Sequence, residues 1–183
     1  MKRILLFFLL LPPFFLHAQQ KTMCVPPDIF PSANVTICNG QSATISVTHT
    51  STVGPYVYLW SPSTGLSNPN ISNPVASPTV TTTYTVTVTD AQPCTSLPGF
   101  VTVTVNSTPT VSISGAGSIC MGNSATLTGS GGVSYSWSTG QVINPITVSP
   151  TTATTYTVWG TSAAGCTNTS TATVNVNPLP TIS

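Results

Sequence analysis

Apolar and polar residues alternate along most of this chain. Thr83 to Thr89 reads Thr-Tyr-Thr-Val-Thr-Val-Thr, and Phe100 to Val105 reads Phe-Val-Thr-Val-Thr-Val. A period of two residues is the mark of a half-buried β-strand, one face in the core and one in water. Thr, Val and Tyr also suit a pleated surface. Turn clusters such as Ser63-Thr64-Gly65, Ser130-Gly131-Gly132 and Ala164-Gly165 separate these short runs. Their spacing is that of a sandwich of antiparallel sheets. No helical period occurs after the first few tens of residues, so the expected fold class is all-β.

The pattern occurs twice. Ile37-Cys38-Asn39-Gly40-Gln41-Ser42-Ala43-Thr44-Ile45 matches Ile119-Cys120-Met121-Gly122-Asn123-Ser124-Ala125-Thr126-Leu127. Tyr58-Leu59-Trp60-Ser61 matches Tyr135-Ser136-Trp137-Ser138, and Thr83-Tyr84-Thr85-Val86 matches Thr155-Tyr156-Thr157-Val158. Cys94 matches Cys166, and Val103 to Asn106 matches Val174 to Asn177. Repetition in fixed order is the signature of a tandem array. The expected division is 28–107 for the first repeat and 108–178 for the second. Leu179-Pro180-Thr181-Ile182-Ser183 repeats the opening Thr108-Pro109-Thr110-Val111-Ser112, so 179–183 reads as the start of a truncated third repeat.

Roles within each repeat follow from the immunoglobulin-type sandwich. Ala43 to Val47 and Ala125 to Thr128 are strand B. Tyr56 to Trp60 and Tyr135 to Trp137 are strand C, with Trp60 and Trp137 expected in the core. Ile146 to Val148 is strand E. Tyr84 and Tyr156 open strand F, where a tyrosine corner would sit, and are also expected in the core.

The first residues are not part of this pattern. Lys2 and Arg3 precede an apolar run from Ile4 to Leu16, followed by His17 and Ala18. That order is a secretory signal peptide, 1–18, followed by an N-terminal segment, 19–27. The run is shorter than the roughly 20 residues a mature membrane span needs. A lipid-modified Cys24 is the competing reading, but Lys21-Thr22-Met23 before it lacks the usual small residues.

Charge is nearly absent. The whole chain has 3 Lys plus Arg and 2 Asp plus Glu, with 40% hydrophobic residues. Beyond the leader only Lys21, Asp28 and Asp90 are charged, and His49 is the sole histidine. Nucleic acid as a partner is thereby set aside, since its phosphates need a basic patch. Disorder is set aside too, because it pairs low hydrophobicity with high net charge.

The motif set resembles the Ig-like and PKD-like repeats of secreted Bacteroidota surface proteins. The residues that carry the likeness are Ile-Cys-x-Gly-x-Ser-Ala-Thr, Tyr-x-Trp-Ser, Ser-Pro-x-x-x-x-Thr-Tyr-Thr-Val and Ala-Gly-Cys. Trp60 and Trp137 are followed by Ser-Pro and Ser-Thr, not by the Asp-Phe-Gly-Asp of PKD repeats, which favours the Ig-like branch. The resemblance implies a repeat region of a surface or secreted protein associated with adhesion, gliding or substrate attachment.

Five cysteines admit two schemes. Cys38–Cys94 and Cys120–Cys166 would close each repeat on itself and leave Cys24 free. In the strand order above, however, Cys120 precedes strand B and Cys166 follows strand F, which puts them at opposite ends of the domain. Strands of six or seven residues separate them by roughly 20 Å, against a disulfide limit of about 7 Å between Cα atoms. Strand direction therefore favours a staggered scheme: Cys38–Cys166 across the junction, Cys24–Cys94 at the other end, and Cys120 unpaired.

No chemistry of the common hydrolytic kinds is arranged here. Asp28 and Asp90 have Thr110 and Ser162 as counterparts, and His49 reads as a solvated residue of a loop. No Cys-x-x-Cys or His/Cys cluster suits zinc, and no Asp-rich loop suits calcium. The sequons at Asn34, Asn70, Asn106 and Asn168 arise easily in Ser/Thr-rich sequence. The chain is expected to be non-enzymatic, with no cofactor and no metal. Three roles remain: a structural or adhesive stalk, a carbohydrate-binding accessory module, and a self-assembling fibre subunit. The expected partners are neighbouring repeats, with surface glycans or cell-surface proteins as further candidates. Tyr56, Tyr58, Tyr135 and Trp159 are the aromatics that could meet a glycan. Trp159 stands out, because Thr87 holds that place in the first repeat.

Overall fold

The computed structural model describes residues 24–50 and 53–180. The expected signal peptide at 1–18, residues 19–23 of the expected N-terminal segment, and 181–183 lie outside the described residues. All regular structure among the described residues is β. The first sandwich is built from β1 (Ile29–Pro31), β2 (Val35–Cys38), β3 (Ala43–Thr44), β4 (Val47–His49), β5 (Val57–Ser61), β6 (Val75–Ala76), β7 (Thr82–Thr89) and β8 (Gly99–Asn106). The second contains β9 (Ser112–Ser114), β10 (Ser118–Cys120), β11 (Ala125–Ser130), β12 (Ser134–Trp137), β13 (Ile146–Val148), β14 (Thr154–Thr161) and β15 (Thr167–Asn177).

Both sandwiches have one topology. A four-stranded sheet runs β2-β8-β7-β5 in the first and β10-β15-β14-β12 in the second. The facing sheet is β13-β11-β9 in the second, and the pairs β1-β4 and β3-β6 in the first. Neighbours are antiparallel except at one edge, where β2 pairs parallel with β8 and β10 with β15. The opening strand of each repeat is therefore split. Its first half joins the strand-B sheet and its second half crosses to the strand-G sheet. These are two tandem immunoglobulin-like sandwiches.

Alternation decides which side chains meet. Tyr84, Val86 and Val88 point inward from β7, and Val101 and Val103 do so from β8. Ile45, Val47, Trp60 and Ala76 complete the first core. Leu127, Trp137, Ile146, Val148, Tyr156, Val158 and Val174 form the second. The two tryptophans are 1% and 2% exposed. Each buried indole N–H still finds an acceptor, as burial of a donor requires. Trp60 Nε1 donates to the Ile71 carbonyl at 2.9 Å, and Trp137 Nε1 to the Ile143 carbonyl at 3.1 Å. Both carbonyls lie on the connection between strands C and E.

The outward faces carry hydroxyls. Thr83 and Thr102 Oγ1 atoms meet across β7 and β8 at 2.9 Å, and Thr155 and Thr173 meet at the same place in the second repeat at 2.8 Å. Such cross-strand pairs stabilise a sheet by roughly 0.2–1 kcal/mol each.

Several local expectations need adjusting. Strand B of the first repeat is not continuous, because it breaks between β3 and β4 and runs on to His49. Tyr56 falls just before β5. Tyr84 forms no tyrosine corner of the expected kind. Its hydroxyl donates to the Thr64 carbonyl at 2.9 Å, on the connection between strands C and E. Burial pushes the Tyr84 phenol pKa up.

Gly131 ties the second sandwich to the linker before it. Its φ is +91°, and a Cβ there would overlap the Thr110 carbonyl oxygen. Gly140 has a similar φ of +84° with open space around it. Left-handed backbone alone costs an L-residue about 1–2 kcal/mol. Gly140→Ala is therefore expected to destabilise the chain by about 1 kcal/mol, and Gly131→Ala by clearly more than about 2 kcal/mol. Urea melts followed by tryptophan fluorescence measure both, and equal costs would contradict the contact.

Candidate functional site

The parallel edge pairing fixes where the cysteines lie. Cys38 ends β2 opposite Asn106, the last residue of β8. Cys94 precedes the start of β8 at Gly99. Seven steps of strand separate Gly99 from Asn106, roughly 23 Å. In the second repeat Cys120 ends β10 opposite Asn177, and Cys166 precedes Thr167. Ten steps put roughly 30 Å between those ends. Neither repeat can bridge its own two cysteines within the reach of a disulfide. Cys38 and Cys120 also do not sit in a turn before strand B; each closes a short strand paired to strand G.

The bonds run between the ends that meet. Cys38 is bonded to Cys166 with Cα atoms 5.6 Å apart, across 128 residues of sequence. Cys24 is bonded to Cys94 with Cα atoms 5.5 Å apart. Cys120 is free and exposed. The end at which the first sandwich finishes thus meets the F–G end of the second.

Side chains hold each F–G cysteine in place. Asp90 Oδ1 accepts from the Gln92 and Cys94 backbone N–H groups at 2.9 and 3.0 Å. The Asp90 N–H in turn donates to the Cys94 carbonyl at 3.1 Å. In the second repeat Ser162 Oγ accepts from the Cys166 N–H at 3.2 Å, and the Ser162 N–H donates to the Cys166 carbonyl at 2.8 Å. An oxygen-bearing side chain four residues before the cysteine performs the same task in both copies. Asp and Ser suit it because their short side chains bond nearby backbone. The sequence aligns Asp90 with Ser162 but does not show their shared task, because the residue types differ; the common spacing of four residues to the cysteine was the available signal.

The linker is fastened as well. Pro109 is buried, and Asn168 Nδ2 donates to its carbonyl at 3.0 Å. Cys166 Sγ lies 3.9 Å from the Asn106 carbonyl oxygen. Pro27, three residues after Cys24, is buried at the corresponding place of the first repeat. The sequon residues at Asn34 and Asn168 are engaged in backbone hydrogen bonds, the former accepting from the Thr102 N–H at 2.8 Å.

The remaining candidates separate clearly. Trp159 is 41% exposed on the outer face of β14, between Ser136 and Thr169 of the adjoining strands. Tyr56, Tyr58 and Tyr135 are half-buried against the cores. Tyr135 Oη donates to the Gly132 carbonyl at 2.8 Å, which makes it a clamp on the B–C turn. His49 is not a solvated loop residue. It ends β4, its ring centroid lies 4.0 Å from that of Tyr56, and its Nε2 is 3.1 Å from Tyr58 Oη. The strand continues that far because Thr48 and His49 pair with Phe30 and Ile29. An apolar groove of about 900 Å³ opens at the F–G end of the first sandwich, lined by Val25, Phe30, Leu97 and Phe100 among others. Among the described residues no group of three His, Cys, Asp or Glu could hold a metal ion, and no helix is long and apolar enough to cross a membrane.

Asp90→Ala leaves two backbone N–H groups without their acceptor. A loss of about 1–3 kcal/mol in the stability of the first sandwich is expected. Asp90→Asn keeps an Oδ1 acceptor and is expected to lose less than about 1 kcal/mol. Thermal melts of the oxidised chain decide between them, and equal losses would remove the role given to that oxygen.

No protein-family model matches the chain, and no curated protein matches it. Among solved structures it is similar to hemolin, an insect immune protein described with implications for homophilic adhesion, at 15% identity and a TM-score of 0.43. That likeness covers 82% of this chain and 47% of hemolin, so the chain spans about half its length. An I-band fragment of titin is similar at 14% identity and a TM-score of 0.41, over 84% of this chain and 67% of that one. A C-terminal fragment of intimin, in complex with the intimin-binding domain of its translocated receptor, is similar at 19% identity and a TM-score of 0.45, over 81% and 64% of the two chains. The strand topology described above, with its split first strand, carries the assignment of the immunoglobulin-like fold.

Proposed function

We propose that this chain is a non-enzymatic, extracellular stalk segment, in which immunoglobulin-like repeats are stapled end to end and set reach and stiffness. The repeats are 28–107 and 108–178, preceded by a cleaved leader at 1–18 and a segment at 19–27, with 179–183 opening a further repeat. The carrying observation is the Cys38–Cys166 bond between sandwiches. A bond inside one domain protects that domain; a bond between domains restricts their relative motion. The short linker Asn106-Ser107-Thr108-Pro109, with its buried proline, acts in the same direction. Disulfides belong to oxidising compartments, which supports a secreted or cell-surface location. The resemblance to Ig-like repeats of Bacteroidota surface proteins is part of this reading.

Cross-linking also limits the unfolded chain. In the chain-entropy account a loop of this length stabilises by about 4–5 kcal/mol. The stalk is thereby held against unfolding as well as against bending.

Small-angle X-ray scattering of the wild type and of the Cys38→Ser/Cys166→Ser variant tests the reading. The wild type is expected to give one narrow interdomain distance distribution. The variant is expected to broaden it while each sandwich keeps its secondary structure. Identical distributions, or a non-reducing peptide map without the Cys38–Cys166 peptide, would refute a stapled rod.

A second reading rests on Trp159, whose large apolar ring is exposed on a sheet of small hydroxyl-bearing neighbours. Such a ring can stack on a sugar face, which would make the second repeat a carbohydrate-binding module. Retention on a glycan array that disappears in Trp159→Ala is the outcome this reading expects. An array without signal for the wild type eliminates it.

A further inference from the structure

The geometry points to the Cys120 end of the second sandwich as a docking surface for the F–G end of another immunoglobulin-like repeat of this type, joined to it by a disulfide. The inference rests on the stalk reading and deepens it by naming the partner and the direction of growth.

Cys120 alone would carry no such claim. The supporting observation is its twin, Cys38, which occupies the same place in the first sandwich and is bonded there to an F–G cysteine. The two surroundings match bond for bond. Cys38 faces Asn106 and Cys120 faces Asn177 in the parallel register. The Asn39 N–H donates to the Asn106 carbonyl at 2.8 Å, and the Met121 N–H to the Asn177 carbonyl at 3.0 Å. The Gln41 N–H donates to the Cys38 carbonyl at 2.9 Å, and the Asn123 N–H to the Cys120 carbonyl at 3.0 Å. Pro180 follows Asn177 at the spacing with which Pro109 follows Asn106. The half-site that receives Cys166 at the first junction is thus built a second time at the end of the second sandwich, with its thiol exposed.

The opposite end is closed. Cys94 is the first sandwich's F–G cysteine, the counterpart of Cys166, and Cys24 already occupies it. Cys24 is therefore a cap, and the array has a polarity. A partner adds at Cys120, and none adds at Cys94 unless Cys24 leaves. The partner is recognisable by its chemistry: a β-sandwich whose F–G turn presents a cysteine four residues after an Asp or Ser. The joining step is an oxidation. Two thiols, Cys120 and the partner's F–G cysteine, form one disulfide, and a disulfide oxidant such as oxidised glutathione is reduced to two thiols, taking up both protons.

The probe is a copy of this chain with its cap removed. Wild type, whose one thiol is Cys120, is mixed with an equal amount of the Cys24→Ser/Cys120→Ser chain, whose one thiol is Cys94. Both stand in a glutathione redox buffer. A heterodimer containing the Cys94–Cys120 peptide is expected to exceed the two homodimers by about tenfold over the random ratio, a factor of ten in the pairing equilibrium. Random pairing, or Cys120–Cys120 dimers as the main product, would overturn the proposal. If circular dichroism reports that the double variant is unfolded, wild type alone serves. With a trace of reduced glutathione, the Cys120 thiolate of one copy displaces Cys24 from Cys94 of the next. The products expected are Cys94–Cys120 ladders with Cys24 as the new free thiol. Dimers linked only through Cys120 would overturn it. A peptide map that lacks Cys38–Cys166 removes the stalk reading itself, whereas a map that contains it beside random pairing of Cys120 removes only the docking surface.

Discussion

Everything distinctive in this molecule follows from the edge strand that runs parallel to strand G. In each repeat the short strand ending in cysteine, β2 or β10, lies beside β8 or β15 and points the same way. Its cysteine is carried to the end at which the chain leaves the domain. The other cysteine sits in the F–G turn, at the end at which the chain enters. A full strand length separates them, so a disulfide inside the domain is geometrically closed off. The cysteine within reach lies outside the domain: Cys166 of the next repeat for Cys38, and Cys24 of the N-terminal segment for Cys94. The Cys38–Cys166 pairing between domains is therefore a consequence of strand direction.

The rest of the junction serves that pairing. Asp90 and Ser162 shape the turns that present Cys94 and Cys166. Asn168 holds the linker through the Pro109 carbonyl, and Gly131 lets the B–C turn press against Thr110. Asp90, Ser162, Asn168 and Gly131 lie outside both hydrophobic core clusters. The cores have a separate logic, in which a tryptophan from strand C is pinned through its indole N–H to the connection between strands C and E. Folding of each sandwich and joining of the two are thus handled by different residue sets, as a modular array requires.

Much of this was legible in the sequence, for physical reasons that can be named. Period-two alternation over Thr83 to Thr89 is a direct imprint of the pleat, so the strands and the buried Tyr84, Val86 and Val88 could be read off. Trp60 and Trp137 stood out because a large apolar residue repeated in register has few places to go except the core. The split first strand was not legible. Ile37-Cys38 and Ile119-Cys120 are followed by glycine-containing turns, and their pairing partners lie nearly a whole domain away in sequence. His49 was misplaced because a lone polar residue in a Thr/Ser run looks solvated, while Tyr58 reaches it from β5 and Tyr56 from the residue just before that strand. Asp90 and Ser162 share a task without sharing a residue type, which comparison of the two repeats by identity cannot reveal.

The threonine hydroxyls on the outer sheets have a consequence for how the chain responds to its medium. Mobile ions weaken attraction and repulsion between charged groups, over about 8–10 Å at ordinary ionic strength. With two carboxylates in the whole chain, and pairs such as Thr83–Thr102 and Thr155–Thr173 supplying the surface contacts, there is almost nothing for ions to screen. Charge screening, the main route by which ionic strength loosens a surface ion-pair network, therefore has little to act on between these strands.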